Sequence, residues 1–284
     1  MLNKLKVNIQ YFLPKTLITR LAGKLASAKL GKFTTFLITT FIKHYNVDMN
    51  EAEVKNIKEY ETFNAFFTRS LKKNARPITK ASNAVAMPAD GVLSEYGEIY
   101  KDAMVQAKGH YYSLNALLGG NEKDSKVYES GTFATVYLSP ANYHRVHMPL
   151  DGKLEKMVFV PGDLFSVNLL TAANIDNLFA KNERVICFFK NKTIGEFAVV
   201  MVGATIVASI ATVFAGTVAP SGGREKNIYR YEKENITLKK GEELGRFMLG
   251  STVICVFPKN SVTINGKKGS AVKMGETLAE ITIK

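Results

Sequence analysis

The chain has 284 residues, of which 46% are hydrophobic and 22% are charged. This length and composition allow a full hydrophobic core, in one large domain or two small ones, and exclude a purely disordered or collagen-like protein. The formal net charge is +13, and most of it lies at one end, because residues 1–47 contain eight Lys or Arg residues and no Asp or Glu. This distribution predicts a negatively charged partner for the N-terminal segment.

The first 47 residues have the pattern of two amphipathic helices. Pro14 can begin the first helix, along which leucines recur every four residues while two basic residues share another strip. These residues are Leu17, Leu21, Leu25, Arg20 and Lys24. Gly31 interrupts the pattern before a second, broad apolar face. That face consists of Phe33, Phe36, Leu37, Phe41 and Ile42.

Neither stretch reaches the roughly 20 uninterrupted apolar residues that span a bilayer. We expect both helices to lie in the interface of an anionic membrane, with lysines at headgroup level and Phe and Leu inserted. A helix pair packed on the chain's own domain is the main alternative. A nucleic-acid-binding arm is disfavoured because no recognition motif accompanies the charge, and a signal peptide because no run of small residues follows a compact apolar core.

Residues 48–80 are predicted to be connecting helices. Asp48 and Glu51 suit a capping box for a short helix that continues to Ile57. Phe63, Phe67 and Leu71 have the spacing of a further helix. The helical third is expected to end near Pro77.

From residue 81 to 284 the pattern is that of short β-branched strands separated by turn dipeptides. The dipeptides are Asp90-Gly91, Asp151-Gly152, Pro161-Gly162 and Asn265-Gly266. Repeated DG and G-acid motifs resemble the hammerhead strands of lipoyl and biotinyl carriers. They are DGVL at Asp90, DGKL at Asp151, GDLF at Gly162, GEEL at Gly241 and GETL at Gly275. The predicted fold class is therefore α+β, with N-terminal amphipathic helices followed by a β-rich domain.

Residues 197–219 form an uncharged run of 23 residues, long enough to suggest a membrane-spanning helix. Eleven of them are Val, Ile or Thr and none is Leu, which favours central strands joined by a tight turn. Both cysteines, Cys187 and Cys255, stand in apolar runs. We interpret them as reduced core residues.

Three motifs could supply chemistry: PADG with Asp90, YHRVHMP with His144 and His147, and FMLGSTVICVF with Ser251. They offer an acid, a base and a nucleophile, and a serine attacks only when a neighbouring group takes its proton. Each residue also has a common structural use, as a turn aspartate, a structural histidine or a strand-edge hydroxyl. Because Gly250 precedes Ser251, the hydroxyl could attack the Gly250 carbonyl, and the resulting ester could eliminate to leave a pyruvoyl group.

Two other functions remain open from these residues alone. His144, His147 and Asp90 could be ligands of a catalytic zinc ion in a hydrolase, since two histidines and a carboxylate suit such a site. The hammerhead-like strands could instead form a non-catalytic carrier or interaction module that the basic arm docks on a membrane.

The ordered motifs nevertheless resemble those of one family across almost the whole chain. They are FNAFFTRSLKKNARPI at Phe63, PADG at Pro88, QAKGHYYSLNALLGG at Gln106, YHRVHMP at Tyr143, VGATIVASIATVFAGTVAP at Val202 and LGST at Leu249. The chain thereby resembles the bacterial phosphatidylserine decarboxylases, which are pyruvoyl-dependent membrane enzymes.

The resemblance implies a role for each candidate residue. Ser251 would be the self-cleavage serine and the pyruvoyl precursor, cut from Gly250 to give a large chain 1–250 and a small chain 251–284. Asp90 and His147 match the acid and base that activate it, and His144 matches the histidine of the decarboxylation step.

The resemblance also implies a reaction and its partners. The covalent pyruvoyl group would form a Schiff base with phosphatidylserine and accept the electrons released with CO2, giving phosphatidylethanolamine without a metal. The expected enzyme is a homodimer at the cytoplasmic face of the cell membrane, peripherally bound, with no nucleic-acid partner.

Overall fold

A computed structural model describes residues 7, 9–107, 109–205, 209–219, 225–248 and 251–282. Its α-helices are α1 Lys15–Ser27, α2 Lys32–Tyr45, α3 Phe63–Phe67, α4 Leu114–Leu117, α5 Glu122–Lys126, α6 Leu169–Ala172 and α7 Leu178–Lys181. A 3₁₀ turn spans Ile57–Glu59. Among the described residues, no helix is both long and apolar enough to cross a bilayer.

The described strands are mostly short. In chain order they are β1 Ala84–Ala86, β2 Gly91–Glu98, β3 Ala103–Ala107, β4 His110–Ser113, β5 Thr132–Leu138, β6 Arg145–His147, β7 Gly152–Val160, β8 Arg184–Asn191, β9 Gly195–Val202, β10 Ile210–Thr212, β11 Gly216–Ala219, β12 Asn227–Arg230, β13 Thr237–Leu238, β14 Glu243–Phe247, β15 Ser251–Phe257, β16 Val262–Ile264, β17 Ala271–Val272 and β18 Thr277–Ile281. The chain thus has the predicted α+β, β-rich composition, with strands beginning close to residue 81.

A nine-stranded antiparallel sheet forms the centre of the fold, in the order β12-β7-β8-β9-β15-β5-β2-β17, with β13 also paired to β7. All seven residues of β15 are buried, because β5 and β9 pair with its two edges. A second, four-stranded sheet has the order β11-β10-β14-β6. Its strand β6 consists of the residues RVH of the YHRVHMP motif.

The uncharged run at residues 197–219 forms strands, as predicted. It contains the end of β9, followed by β10 and β11, and residues 206–208 within it lie outside the described part of the chain. Cys187 and Cys255 are both buried and free. Burial raises the pKa of both thiols, that of Cys255 to about 12, so neither is a reactive thiolate at neutral pH.

The prediction of a helix from Asp48 to Ile57 is wrong. The Asp48 side chain accepts a hydrogen bond from the Asn50 backbone N–H and closes a local turn. The Glu51 carboxylate, which a capping box would direct back to the cap, instead binds Arg76 and Lys273. Ala52 next to it forms a β-bridge with Leu71. Long-range contacts of this segment therefore override its local helix signal.

The helix predicted around Phe63 exists but ends early. Thr62 caps it by accepting from the Ala65 N–H, and the last helical residue is Phe67. The Thr68 carbonyl, which follows, accepts a hydrogen bond from Arg145 Nε at 2.9 Å. Leu71 consequently lies in an extended bridge and not on the helix.

The two Asp-Gly motifs at Asp90 and Asp151 each precede a long strand, since Gly91 begins β2 and Gly152 begins β7. They act as strand-start turns in the central sheet. The more specific likeness to carrier hammerhead strands stays a prediction.

The close approach of backbone to Gly131 yields a test of the packing around β15. A Cβ at this position would lie 2.1 Å from the Phe257 carbonyl oxygen, whereas at Gly97 the nearest atom would be a Phe133 ring carbon 3.9 Å away. Gly131→Ala should reduce the free energy of unfolding by about 1–3 kcal/mol, because the end of β15 must shift. Gly97→Ala should change it by less than about 0.5 kcal/mol. Urea unfolding followed by circular dichroism measures both, and equal effects would contradict this packing.

Candidate active site

Ser251 is the first residue of β15 and is fully buried. Its hydroxyl oxygen has no hydrogen-bond partner among the described residues. A buried hydroxyl without a partner costs free energy, so its position demands a functional explanation. The predicted cleavage partner, Gly250, lies outside the described residues together with Leu249.

The strand before Ser251 brings the chain alongside both histidines. β14 pairs with β6 in a register that sets Glu243 opposite His147, and the Phe247 N–H donates to the His144 carbonyl at 3.0 Å. Arg145 fixes this pairing by binding the Glu243 carboxylate at 2.8 Å. Ser251 follows Phe247 by four residues in the sequence, and its own described pairing is with Leu138 of β5.

His147 has the protonation state of a general base. Its Nδ1 lies 2.8 Å from the Gly241 carbonyl oxygen, which can only accept, so Nδ1 carries the proton. Nε2 is therefore the lone-pair nitrogen, and the Tyr143 hydroxyl donates to it at 3.1 Å. Burial lowers the pKa of His147, although the Gly241 bond opposes the shift. The imidazole is thus neutral and can take a proton through Nε2.

Tyr143 is the residue that sequence reasoning missed. It stands in the quoted YHRVHMP motif, but no spacing rule marks it, because its contact with His147 depends on how the loop before β6 folds back. The side chain is buried, which raises the pKa of its hydroxyl to about 12. The hydroxyl therefore remains a donor throughout the neutral range.

Asp90 is buried, but its partner is not the imidazole. Arg76 Nε donates to Oδ1 at 2.8 Å, Arg76 Nη2 donates to Oδ2 at 2.6 Å, and the Met274 backbone N–H donates to Oδ1 at 2.9 Å. In a serine–histidine–aspartate triad the carboxylate would set the histidine tautomer. Here, within the described structure, the Gly241 carbonyl does so instead.

Asp90 still lies beside the base. The His147 backbone N–H donates to the carbonyl of Pro88, two residues before Asp90, at 2.8 Å. The charge of Asp90 acts on His147 in the direction that favours a protonated ring, against the larger effect of burial. The carboxylate can therefore stabilise an imidazolium electrostatically without touching it.

His144 is fully buried, and its ring stacks on Phe67 with centroids 4.0 Å apart. Neither ring nitrogen makes a well-formed hydrogen bond to a described residue, although the carbonyls of Ser139 and Pro140 lie close. Burial, reinforced by the positive charge of Arg69, lowers the pKa of His144 to about 3. The His144 ring is therefore uncharged and packs against an apolar side chain, and its two nitrogens remain without a well-formed hydrogen bond to a described residue.

The zinc alternative finds no support in this geometry. Within the described part of the chain, no three His, Cys, Asp or Glu side chains converge to hold a metal ion. Asp90 is bound to Arg76, and His144 is stacked on Phe67, so the proposed ligands do not face a common point.

Comparison with known proteins identifies the family of the chain. A family model described as phosphatidylserine decarboxylase matches residues 63–280, and a second, described as PSD, matches residues 5–46. The site and the match together define the class as a self-processing decarboxylase. The chain belongs to the phosphatidylserine decarboxylase family.

Curated relatives match over nearly the full length. A protein of Psychromonas ingrahamii is 50% identical over 281 residues, covering 98% of each chain, and one of Idiomarina loihiensis is 51% identical over 284 residues, covering 98% of this chain and 97% of the relative. One of Pseudoalteromonas translucida is 54% identical over 266 residues, covering 93% and 92%. All three are named phosphatidylserine decarboxylase proenzyme.

The Arg76–Asp90 pair gives a prediction about the integrity of the site. Arg76→Met leaves the buried Asp90 without its counter-charge, so we expect a loss of about 3–5 kcal/mol in the free energy of unfolding. Adding Asp90→Asn should restore much of the lost free energy of unfolding, because it removes the unpaired negative charge. Urea unfolding in a Ser251→Ala background compares every variant as one uncut chain.

An exposed ion pair provides the control. Arg230 binds Glu232 at the surface, with 71% of the arginine side chain exposed. Arg230→Met should therefore cost less than about 1 kcal/mol. A double variant no more stable than Arg76→Met alone would show that the pairing with Asp90 is not the reason for the loss.

Proposed function

We propose that this chain is a proenzyme that cuts itself at Gly250-Ser251 and then decarboxylates phosphatidylserine to phosphatidylethanolamine and CO2. The observation that carries the proposal is the buried, unpartnered Ser251 hydroxyl at the start of β15, in a member of the phosphatidylserine decarboxylase family. Cleavage gives a large chain 1–250 and a small chain 251–284. The proposed regions are the membrane-binding segment 1–47, the connector 48–80 and the catalytic domain 81–284.

The cleavage uses the neutral His147 as base. Nε2 takes the proton of Ser251 Oγ, and the oxygen bonds to the Gly250 carbonyl carbon. The bond from that carbon to the Ser251 nitrogen then breaks as the imidazolium returns the proton to that nitrogen, leaving an ester and a free amine. Loss of the Ser251 α-proton then breaks the Cβ–Oγ bond and releases the Gly250 carboxylate. Water adds to the remaining dehydroalanine, ammonia leaves, and a pyruvoyl group ends the small chain. The charge of Asp90 stabilises the imidazolium formed in the first step.

The buried start of β15 suits this group. Its covalent pyruvoyl carbonyl supplies an electrophile that reacts with the substrate amine and accepts the electron pair as CO2 leaves. His144 is a buried, neutral ring stacked on Phe67. We assign to it the positioning of the substrate carboxylate and the return of a proton after CO2 is lost. Its apolar surroundings favour a step in which the carboxylate charge disappears.

The N-terminal helices support docking on an anionic membrane. α1 turns its small residues Thr19, Gly23 and Ala26 inward, while the leucine stripe of Leu17, Leu21 and Leu25 is about half exposed. About half of the surface of each leucine is therefore left open to an external apolar partner. Further exposed apolar side chains of this segment are Ile9, Tyr11, Phe12, Leu13, Leu30, Phe33 and Phe36.

An apolar groove of about 370 Å³ opens between α1, α2 and α3. Its lining is mostly apolar and includes Leu25, Phe36, Phe41 and Phe63. Exposed apolar surface flanked by lysines is typical of interfacial binding to anionic lipid. We therefore place the protein peripherally on the cytoplasmic face of the cell membrane. On the family resemblance alone we further propose a homodimer of processed protomers.

Ser251→Ala tests the cleavage directly. The variant should remain one full-length, inactive chain, because no hydroxyl is available to attack. The wild-type protein should give a small fragment that is blocked to N-terminal sequencing and lighter by one ammonia than a chain starting with serine, as intact mass spectrometry shows. Ser261→Ala is the matched control, since Ser261 is also buried but binds the Pro258 carbonyl. A wild-type chain that stays intact on membranes would instead favour the carrier function.

The leucine stripe is tested by its effect on membrane binding alone. Leu17→Ser, Leu21→Ser and Leu25→Ser combined should weaken sedimentation with anionic vesicles by about tenfold or more, because each buried leucine contributes roughly 1.5–3 kcal/mol. Self-cleavage should be unchanged. Val213→Ser with Ile228→Ser is the control, since both residues are about half exposed but lie outside the N-terminal segment. Equal loss in the control would contradict docking through α1.

A further inference from the structure

Arg69 is a buried cation that forms no ion pair within the described part of the chain. The residue is only 5% exposed, and its Nε has no hydrogen-bond partner among the described residues. The guanidinium lies over the Phe66 ring, 5.4 Å from its centroid. Burying an arginine without a carboxylate costs several kcal/mol, so an isolated one in a folded protein points to an anionic ligand.

The nearby carboxylates are already bound to other cations. Asp90 and Glu51 both bind Arg76, and Glu51 also binds Lys273. Among the described residues Arg69 forms no ion pair with any carboxylate, so its charge is available to an anion from outside the chain.

Arg69 is next to the reaction centre and to the membrane-facing groove. Its charge acts on His144, whose ring stacks on Phe67 two residues earlier in the chain. The same short helix, α3, begins with Phe63, which lines the apolar groove. Along this one segment Phe63 lines the groove, Phe67 stacks on His144 and Arg69 follows, so one short stretch of chain contributes to all three features. A phospholipid likewise carries acyl chains, a phosphate and an amino-acid headgroup in one molecule.

We propose that Arg69 binds the phosphodiester of the phospholipid substrate. This rests on the proposed function. A guanidinium donates two parallel hydrogen bonds to phosphate oxygens through Nε and Nη, and the free Nε of Arg69 is available for one of them.

The substrate carboxylate is the poorer choice of ligand. An ion pair with it would stabilise the ground state of a reaction in which that charge is lost, and so would raise the barrier. The phosphate keeps its charge from substrate to product. Arg69 can therefore bind it throughout without opposing decarboxylation.

The test separates phosphate binding from carboxylate binding with Arg69→Gln and Arg69→Lys. Both variants should cut themselves normally. With phosphatidylserine in nonionic detergent micelles, Arg69→Gln should raise KM by about 10- to 100-fold with a smaller change in kcat, the loss expected for one charged hydrogen-bonding group. The inhibition constant of glycerophosphoethanolamine, which has the phosphodiester but no carboxylate, should rise by a similar factor. Arg69→Lys keeps the charge but not the paired donors, so its KM and inhibition constant should lie between those of the wild type and those of Arg69→Gln.

Other outcomes overturn the assignment. A raised KM with an unchanged inhibition constant would indicate that Arg69 binds the substrate carboxylate and not the phosphate. An unchanged KM would show that Arg69 has no role in substrate binding. Failure of both variants to cut themselves would make Arg69 a structural residue. Arg230→Gln, at the surface, should leave cleavage, KM and inhibition unchanged. A wild-type protein without cleavage or CO2 release would instead refute the proposed function, so the two failures are distinguishable.

Discussion

The fold depends on placing Ser251 at the start of a strand that is buried along its whole length. Because β5 and β9 pair with both edges of β15, the backbone around the serine is fixed by hydrogen bonds that do not require the Gly250-Ser251 bond. β17 and β18 add pairs with β2 and β1, so residues 251–284 are part of two sheets. A cut at this point therefore leaves the small chain held by sheet pairing and core burial, and its new end stays inside the protein.

Burial also decides the protonation of the site. Desolvation disfavours charged imidazole, and both His144 and His147 are neutral for this reason. Their environments then separate them, since His147 has defined hydrogen bonds on both nitrogens whereas His144 has a stacked aromatic neighbour and free polar atoms. A fixed lone pair suits proton abstraction from a group of the protein. The His144 imidazole, whose nitrogens make no well-formed hydrogen bond to a described residue, is suited to bind a substrate that enters later.

Local composition predicted the type of some elements even where their pairing is distant. The β-branched content of residues 197–219 was sufficient to predict strands, although β9 pairs with β15 and β10 with β14. The site motifs singled out Ser251 and both histidines as candidates, and their roles stay a prediction. The helix expected after Asp48 was wrong because Glu51 binds Arg76 and Lys273, which are 25 and 222 residues away. Tyr143 and Arg76 were missed for the same reason. Their roles arise from side-chain pairing across the tertiary fold, which residue spacing does not encode.

The proposed phospholipid substrate would account for two costly features of the chain. The leucine stripe of α1 exposes apolar surface to water, and Arg69 buries a charge without a counter-ion among the described residues. Each is unfavourable in the isolated protein, yet acyl chains would cover the first and a phosphodiester would neutralise the second. Because α3 joins the groove to Arg69 and Phe67, one bound phospholipid can satisfy both and present its headgroup to His144. The free energy that these two features cost in the free protein would then be recovered when the substrate binds at a membrane surface.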